Sequence, residues 1–180
     1  HLLTAAKLPA EARVAVIAYG RWGGKELGYA SDLDLIFLMP DDAVAYRDQL
    51  TRVAQRFQSW LTTMTAAGRA YDIDVRLRPD GAAGLLLSTV SAFAEYQREK
   101  AWTWEHQALT RARAAAGDVA TGAAFEAIRQ EIIAKPRDWI ALRDEIIAMR
   151  AKVAEGHPNR KAAEWFDIKH DAGGLVDLEF

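Results

Sequence analysis

Two short apolar runs near the start of the chain each end at a residue that stops a strand. Arg13–Tyr19 form the first run, which ends at Gly20, and Leu33–Met39 form the second, which ends at Pro40. Continuous apolar runs of this length, bounded by glycine or proline, are typical of buried strands. A later segment, Tyr71–Leu77, alternates apolar with charged residues and predicts a third strand with one polar face.

Helical periodicity separates the second of these segments from the third. Apolar side chains recur at steps of three and four residues between Val44 and Met64, which predicts an amphipathic helix with one buried face. Asp41 and Asp42 precede this helix, where carboxylates favour a helix N-terminus, and Gly68 ends the segment. The first half of the chain is therefore predicted as strand, glycine-rich connector, strand, helix and strand.

After residue 87 the pattern is helical throughout. We predict helices that begin at Ser88, Trp102, Asp118 and Pro136 and run to about Lys100, Ala116, Ile133 and Val153. The last helix carries an apolar stripe that predicts packing against its neighbours, formed by Trp139, Leu142, Ile146, Met149 and Val153. The predicted fold class is α+β, with a head over residues 1–87 and an all-α helical domain over residues 88–180.

Composition and charge restrict the functions open to such a chain. Of its 180 residues, 51% are hydrophobic and 27% charged, a balance typical of a folded globular protein. Lys and Arg total 23 against 25 Asp and Glu, so the formal net charge is −2 and no chain-wide basic field for nucleic acid exists. The sequence contains no cysteine, which excludes disulfides, thiolate catalysis and cysteine-ligated metals.

Location and chain ends give further expectations. No apolar run approaches the ~20 residues of a membrane-spanning helix, so we expect no membrane association and a cytoplasmic location. The chain begins with His1 instead of Met and stops at Phe180, shortly after a Gly-Gly turn. We therefore expect a fragment of a longer protein whose helical domain is truncated at its C-terminus.

Three carboxylates are the strongest candidates for chemistry. Asp32 and Asp34 stand two residues apart at the start of the second predicted strand, so their side chains share one face. Asp74 lies inside the third predicted strand, where a lone buried carboxylate is energetically unfavourable. If these strands pair, the three carboxylates converge and suit Mg²⁺ or Mn²⁺ and a phosphoryl-type displacement. On an edge strand, the same residues would be ordinary surface carboxylates.

The glycine-rich connector before Asp32 predicts contact with phosphate. Gly20, Gly23 and Gly24 allow backbone N–H groups to approach an anion closely, and Ser31 adds a hydroxyl donor. The connector matches neither the Walker pattern G-x-x-x-x-G-K-[ST] nor the Rossmann fingerprint G-x-G-x-x-G.

Several motifs together resemble a known family. The string Gly20–Leu35, G-R-W-G-G-K-E-L-G-Y-A-S-D-L-D-L, resembles the signature of the DNA polymerase β superfamily of nucleotidyltransferases. More closely, the chain resembles the glutamine synthetase adenylyltransferase/adenylyl-removing family over roughly residues 13–180. The other motifs that carry this resemblance are Asp74–Pro79, Trp102–Leu109, Phe166–Lys169 and Gly173–Phe180.

The resemblance implies a fold and a reaction. It implies a polymerase β-like head, with a small mixed sheet flanked by helices, followed by a helical bundle. ATP would bind as a magnesium or manganese complex, and a tyrosine hydroxyl of glutamine synthetase would attack the α-phosphate to give AMP-tyrosine and pyrophosphate. Asp32 and Asp34 would hold the metals, and Asp74 would bind the catalytic metal and help to remove the hydroxyl proton.

The resemblance also implies phosphate-binding residues, namely Gly23, Gly24, Ser31, Arg76, Arg78 and Lys169. Arg76 and Arg78 share a strand face with Asp74, so they could instead simply neutralise the carboxylates.

For several other polar residues we consider a structural role. Glu105 and His106 lie on a predicted helix, where we interpret His106 as a structural residue with satisfied hydrogen bonds and not as a ligand. Arg111 and Arg113 are predicted to form a solvated helix face. Asp177 and Glu179 could line the cleft or form structural pairs.

The direction of the reaction stays open at this point. Family members carry two copies of the catalytic head, one that removes AMP by phosphorolysis and one that transfers it. This chain holds one copy, and Leu77–Gly84 and Ala101–Gln107 resemble the transferring copy. The alternatives are the removing copy, a nucleotidyltransferase for RNA or small molecules, and a silent regulatory module. The implied partners are glutamine synthetase and, through the full-length enzyme, the PII signal protein.

Overall fold

A computed structural model describes residues 2–29, 31–160 and 164–179. Ala30 and Phe180, which belong to two of the motifs above, lie outside the described residues. The strands in the described part are β1 (Ala15–Ala18), β2 (Leu33–Met39), β3 (Ile73–Asp74), β4 (Leu87–Thr89) and β5 (Arg113–Gly117). The helices in the same ranges are α1 (Leu2–Ala5), α2 (Gly20–Gly23), α3 (Arg47–Thr62), α4 (Val90–Glu99), α5 (Thr103–Leu109), α6 (Val119–Ala134), α7 (Trp139–Gly156) and α8 (Leu175–Glu179).

The strands form one mixed sheet in which β2 is central. β1 pairs with β2 in the antiparallel sense, and β5 pairs with the far side of β1, also antiparallel. On the other side of β2, β3 lies parallel to its first residues and β4 lies parallel to its last residues. The prediction of a small mixed sheet flanked by helices is confirmed.

Successive side chains of β1 and β2 enter two hydrophobic clusters, which explains why both strands are apolar almost throughout. Ile17 and Ile36 belong to one cluster, which includes Phe93 of α4 and Phe125 of α6. Their neighbours Val16 and Phe37 enter the other cluster, which includes Leu50 of α3. Because both faces of the sheet are covered, β2 is buried from Leu35 to Met39.

The first half of the chain follows its predicted order with shorter elements. β2 has the predicted bounds, and α3 begins at Arg47, after a 3₁₀ helix over Asp41–Tyr46. The predicted third strand is longer than the observed one, since pairing stops at Asp74. Beyond that residue the backbone turns, with the N–H of Arg78 donating to the carbonyl of Val75.

The predicted helix over 102–116 is wrong in its second half. α5 ends at Leu109, and Arg113–Gly117 form β5 instead. Alanine is the strongest helix former, but intrinsic propensity is a weak preference, and the edge of β1 offers hydrogen bonds to a whole strand. Gly117 permits the close approach, because an added Cβ there would lie 2.2 Å from the carbonyl oxygen of Val14.

Two other helix starts differ from prediction. Leu87–Thr89 form β4, so the helix predicted from Ser88 begins at Val90, with Thr89 as its cap. The fourth helix begins at Trp139, because the carboxylate of Asp138 caps it, and not at Pro136. The division at residue 87 remains a prediction, although β5 lies beyond it and belongs to the sheet.

The apolar stripe of α7 is only partly covered. Trp139 is 67% exposed, so the prediction that it packs is wrong, while Leu142 and Met149 are half-buried. Within the described ranges, no helix combines the length and apolar character needed to cross a bilayer.

Asp118 caps α6 and provides a test of the helical part. Its carboxylate accepts hydrogen bonds from the backbone N–H and the hydroxyl of Thr121, at 2.8 and 2.6 Å. These bonds lower the pKa of Asp118, so its contribution to stability is present above its ordinary value of 3.8 and is lost as the pH falls through the lower folded pKa.

We expect Asp118→Ala to lower the free energy of unfolding by about 1 kcal/mol at neutral pH, measured by urea denaturation. The loss should shrink below pH 4, because the carboxylate is then protonated in the unfolded chain and progressively so in the folded one. Asp144→Ala, at an exposed position of α7, is the matched control and should change stability by less than about 0.5 kcal/mol. Equal losses in the two variants would contradict the capping role.

Candidate active site

The pairing of β2 with β3 places two of the predicted carboxylates side by side. The two strands are parallel, and their register aligns Leu33 with Ile73 and Asp34 with Asp74. The N–H of Leu33 donates to the carbonyl of Asp72 at 2.8 Å at the start of this pairing. Aligned residues on neighbouring strands project from the same face, so the condition under which the carboxylates were expected to converge is met for Asp34 and Asp74.

The negative charge of Asp32 also acts on the aligned carboxylate of Asp34. Asp32 is exposed just before β2, whereas Asp34 and Asp74 are half-buried. Burial raises the pKa of Asp34, and the negative charges of Asp74 and Asp32 raise it further. The positive charges of Lys169 and Arg76 oppose this rise. Five of the predicted site residues therefore influence one another across the edge of the sheet.

Gly20 provides the space that the Asp34 carboxylate occupies. Its φ is +51°, and an added Cβ would lie 2.3 Å from Oδ2 of Asp34. The backbone is also held here, since the N–H of Tyr19 donates to the carbonyl of Asp34 at 2.9 Å. Gly20 was predicted to contact phosphate, and its role beside a carboxylate was not predicted. The available signal was its position directly after β1, opposite the start of β2.

Arg76 forms an ion pair with Asp74. Its Nε lies 3.0 Å from Oδ1 and 2.8 Å from Oδ2, and its Nη2 also contacts Oδ2. The backbone N–H of Arg76 donates to Oδ1 at 2.8 Å. The side-chain hydrogen bonds from Arg76 are the main reason that the pKa of Asp74 is lowered. Arg76 could contact phosphate or neutralise the carboxylates, and in the structure it neutralises Asp74.

The donor chemistry fits a hard divalent cation. In residues 2–29, 31–160 and 164–179, no group of three or more His, Cys, Asp or Glu side chains is close enough together to hold a metal ion. Even so, Asp32, Asp34 and Asp74 supply only carboxylate oxygens, which Mg²⁺ and Mn²⁺ prefer. The raised pKa of Asp34, caused by burial and then by its two neighbours, indicates negative charge that a cation would balance. Metal binding remains a prediction.

The close packing of the backbone also explains why glycines occur in the connector. An added Cβ at Gly23 would lie 2.1 Å from the carbonyl oxygen of Arg111, so α2 approaches that backbone closely. The N–H groups of Gly23 and Gly24 donate within the turn, to the carbonyls of Tyr19 and Gly20, at 2.7 and 2.9 Å. These amides are thus already bonded, and their phosphate contact remains a prediction.

Ser31, Arg78 and Lys169 lie around the carboxylates in different ways. The hydroxyl of Ser31 accepts from the N–H of Gly28 at 3.1 Å and from Arg21 at 3.3 Å, which closes the connector. The guanidinium of Arg78 holds the turn after β3 by donating to the carbonyls of Val75, Ala82 and Gly84. Lys169 is exposed and lowers the pKa of Asp34 through its charge. Their contacts with phosphate remain predictions.

Arg111 and Arg113 hold the connector, which the sequence analysis missed. Arg113 donates to the carbonyls of Trp22 and Gly23, each at 3.1 Å, at the end of α2. Arg111 pairs with Glu26 at 2.8 Å and also with Glu179 of α8. The prediction of a solvated helix face is wrong, because Arg111 lies in the turn after α5 and Arg113 is the first residue of β5. Their alternation directly before a run of alanines was the available signal.

The remaining polar residues have structural partners. Asp177 pairs with Arg150, and Glu179 pairs with Arg111, so the second of their two predicted roles is the one observed. Nε2 of His106 lies 2.8 Å from the carbonyl oxygen of Gln97, and Nδ1 lies 2.9 Å from the guanidinium of Arg137. Burial lowers the pKa of His106, as does the charge of Arg137. Both ring nitrogens of His106 thus have protein partners, as predicted for a structural histidine.

Comparison with known proteins identifies close relatives. Residues 3–128 match the family model described as glutamate-ammonia ligase adenylyltransferase. Three similar proteins are each named bifunctional glutamine synthetase adenylyltransferase/adenylyl-removing enzyme. The one from Bordetella bronchiseptica is 59% identical over 171 residues, 95% of this chain and 18% of the relative. Those from Aromatoleum aromaticum and Nitrosomonas europaea are 57% and 52% identical, each over 92% of this chain and 18% of the relative.

Gly20→Ala tests whether this glycine makes room for Asp34. The matched control is Gly81→Ala, because Gly81 has a similar φ of +54° but its nearest atom to an added Cβ lies at 3.7 Å. We expect Gly20→Ala to lower the free energy of unfolding by about 1–3 kcal/mol more than the control, measured by urea denaturation. In an Asp34→Ala background this excess should vanish, since the clashing oxygen is absent. The same excess in both backgrounds would contradict the assignment.

Proposed function

The chain belongs to the glutamate-ammonia ligase adenylyltransferase family, as its motifs predicted, and we propose that it transfers AMP from ATP to a tyrosine hydroxyl of glutamine synthetase. The observation that carries the proposal is the alignment of Asp34 with Asp74 on parallel strands, with Asp32 in the same field. The printed names of the relatives include both adenylyl transfer and adenylyl removal. Because the chain spans 18% of their length, the choice of transfer is part of the proposal.

The three carboxylates are proposed to hold Mg²⁺ or Mn²⁺. When bound, such a cation supplies positive charge that stabilises the oxygens of the phosphate chain during displacement. Asp34 is well suited to this role, because burial raises its pKa and the adjacent negative charges of Asp74 and Asp32 raise it further, so a bound cation would stabilise its ionised form. The family likeness also gives Asp74 a part in proton removal. Its lowered pKa, due mainly to hydrogen bonds from Arg76, makes it a weak proton acceptor, so we assign it charge and ligation instead.

Phosphate contact is assigned first to the cations beside the carboxylates. Arg76 and Lys169 are exposed, and both influence Asp34 through their charge. Ser31 adds a hydroxyl next to Asp32, within a connector that the N–H of Gly28 and the side chain of Arg21 hold closed. Gly23, Gly24 and Arg78 act mainly by shaping the two loops that flank the site. In this account the residues contribute position and charge complementarity, with little covalent chemistry.

The proposed macromolecular substrate is glutamine synthetase. Its tyrosine can approach from the side of Asp32, which is exposed at the start of β2. A net charge of −2 gives little attraction for long nucleic acid, which disfavours an RNA substrate. The PII signal protein is proposed to act through the full-length enzyme, and the site is proposed to work in the cytoplasm.

A labelling experiment tests the proposal. The chain is incubated with unmodified glutamine synthetase, Mg²⁺ and α-labelled ATP, beside an Asp32→Asn, Asp34→Asn variant. We expect label on the synthetase with the native chain and a rate lower by about a thousandfold or more in the variant, since transition-state charge stabilisation is lost. Asp144→Asn, which removes one exposed carboxylate from α7, is the control and should retain the native rate.

Two other results would contradict adenylyl transfer in different ways. Absence of label, together with phosphate-dependent release of ADP from adenylylated synthetase, would assign the chain to adenylyl removal. Absence of both signals, with ATP bound but not consumed, would favour the silent regulatory module.

A further inference from the structure

Arg76 occupies both oxygens of a carboxylate that the proposed reaction needs. Its Nε and Nη2 contact Oδ2 of Asp74, and Nε lies 3.0 Å from Oδ1. The hydrogen bonds to Asp74 raise the pKa of Arg76, and the charges of Asp34 and Asp32 raise it further. One guanidinium therefore sits in the combined field of all three carboxylates.

Exposure indicates that this guanidinium can move away. The side chain of Arg76 is 78% exposed, whereas that of Asp74 is 18% exposed. The guanidinium is therefore open to water on the side that faces away from Asp74. The arginine two residues later differs, because Arg78 is anchored to the backbone carbonyls of Val75, Ala82 and Gly84. In the described part of the chain, the side-chain hydrogen bonds of Arg76 go to Asp74 alone, so its position depends on that one carboxylate.

A guanidinium in this place competes with a metal ion for the same oxygens. Nε and Nη2 both take Oδ2 of Asp74, so those lone pairs are not free to ligate a cation. Two positive charges close together also repel each other.

We infer that Arg76 is an internal counter-cation, which neutralises Asp74 until a divalent ion binds and then leaves that carboxylate to contact nucleotide phosphate. The inference rests on the proposed function, because it requires the carboxylates to be a metal site. It makes Arg76 a residue that opposes binding of the bare metal and favours binding of the metal-nucleotide complex. These two effects have opposite signs, which a purely structural role would not produce.

The test measures both effects in the same variants. Binding of Mn²⁺ to the nucleotide-free chain is followed by the electron paramagnetic resonance signal of free Mn²⁺. Binding of α,β-methylene-ATP is measured separately at saturating Mn²⁺. The variants are Arg76→Gln and the matched control Arg69→Gln, which removes the same charge from an exposed arginine paired with Asp72 at 2.6 Å, just before β3. Asp32→Asn reports whether Mn²⁺ binds at the carboxylates.

We expect Arg76→Gln to bind bare Mn²⁺ about three- to tenfold more tightly and the nucleotide about tenfold more weakly than the native chain. Arg69→Gln should change either affinity by less than about twofold. Any result without opposite signs in Arg76→Gln overturns the inference. If Asp32→Asn still weakens Mn²⁺ binding in that case, the proposed metal site survives. If neither the native chain nor Arg76→Gln binds Mn²⁺, the proposed function fails as well.

Discussion

The site depends on one unfavourable arrangement, the side-by-side placement of two carboxylates on parallel strands. Asp34 and Asp74 are aligned by the register of β2 and β3, and their like charges repel. Three features make this arrangement tolerable. Gly20 leaves space for the Asp34 carboxylate, Arg76 neutralises Asp74, and the charge of Lys169 reaches Asp34 from the C-terminal segment. The positively charged residues around the site therefore offset its concentrated negative charge.

The hydrophobic core supplies the force that maintains this register. β2 sends alternate side chains into two clusters, so a shift by one residue would move Ile36 and Phe37 to the wrong faces and bury charged groups. β3 contributes only Ile73 and Asp74, and its position is fixed by pairing with β2 and by Ile73 packing on the second cluster. The hydrophobic contacts that hold β2 and β3 in the sheet therefore also hold the carboxylates of Asp34 and Asp74 side by side.

The sequence predicted the centre of the site better than its surroundings. β2 followed from its apolar run, which is a local signal. The convergence of Asp34 and Asp74 was predicted only on the condition that their strands pair, because pairing joins distant parts of the chain. β5 could not be predicted, because its alanines favour a helix and only pairing with the edge of β1 makes them a strand. The contacts of Arg111 and Gly20 join distant parts of the chain, and the choice between the two roles of Arg76 depended on a side-chain conformation.

The most direct test of this account is a carbon-13 NMR titration of the Asp34 carboxyl in the metal-free native chain and in Asp74→Asn. If the carboxylates share one field, the pKa of Asp34 is above its ordinary value of 3.8 in the native chain, through burial and then through Asp74 and Asp32. Removing the charge of Asp74 should lower the pKa of Asp34, since that charge raises it. An unchanged pKa of Asp34 in Asp74→Asn would contradict the central claim that the parallel pairing joins these carboxylates into one site.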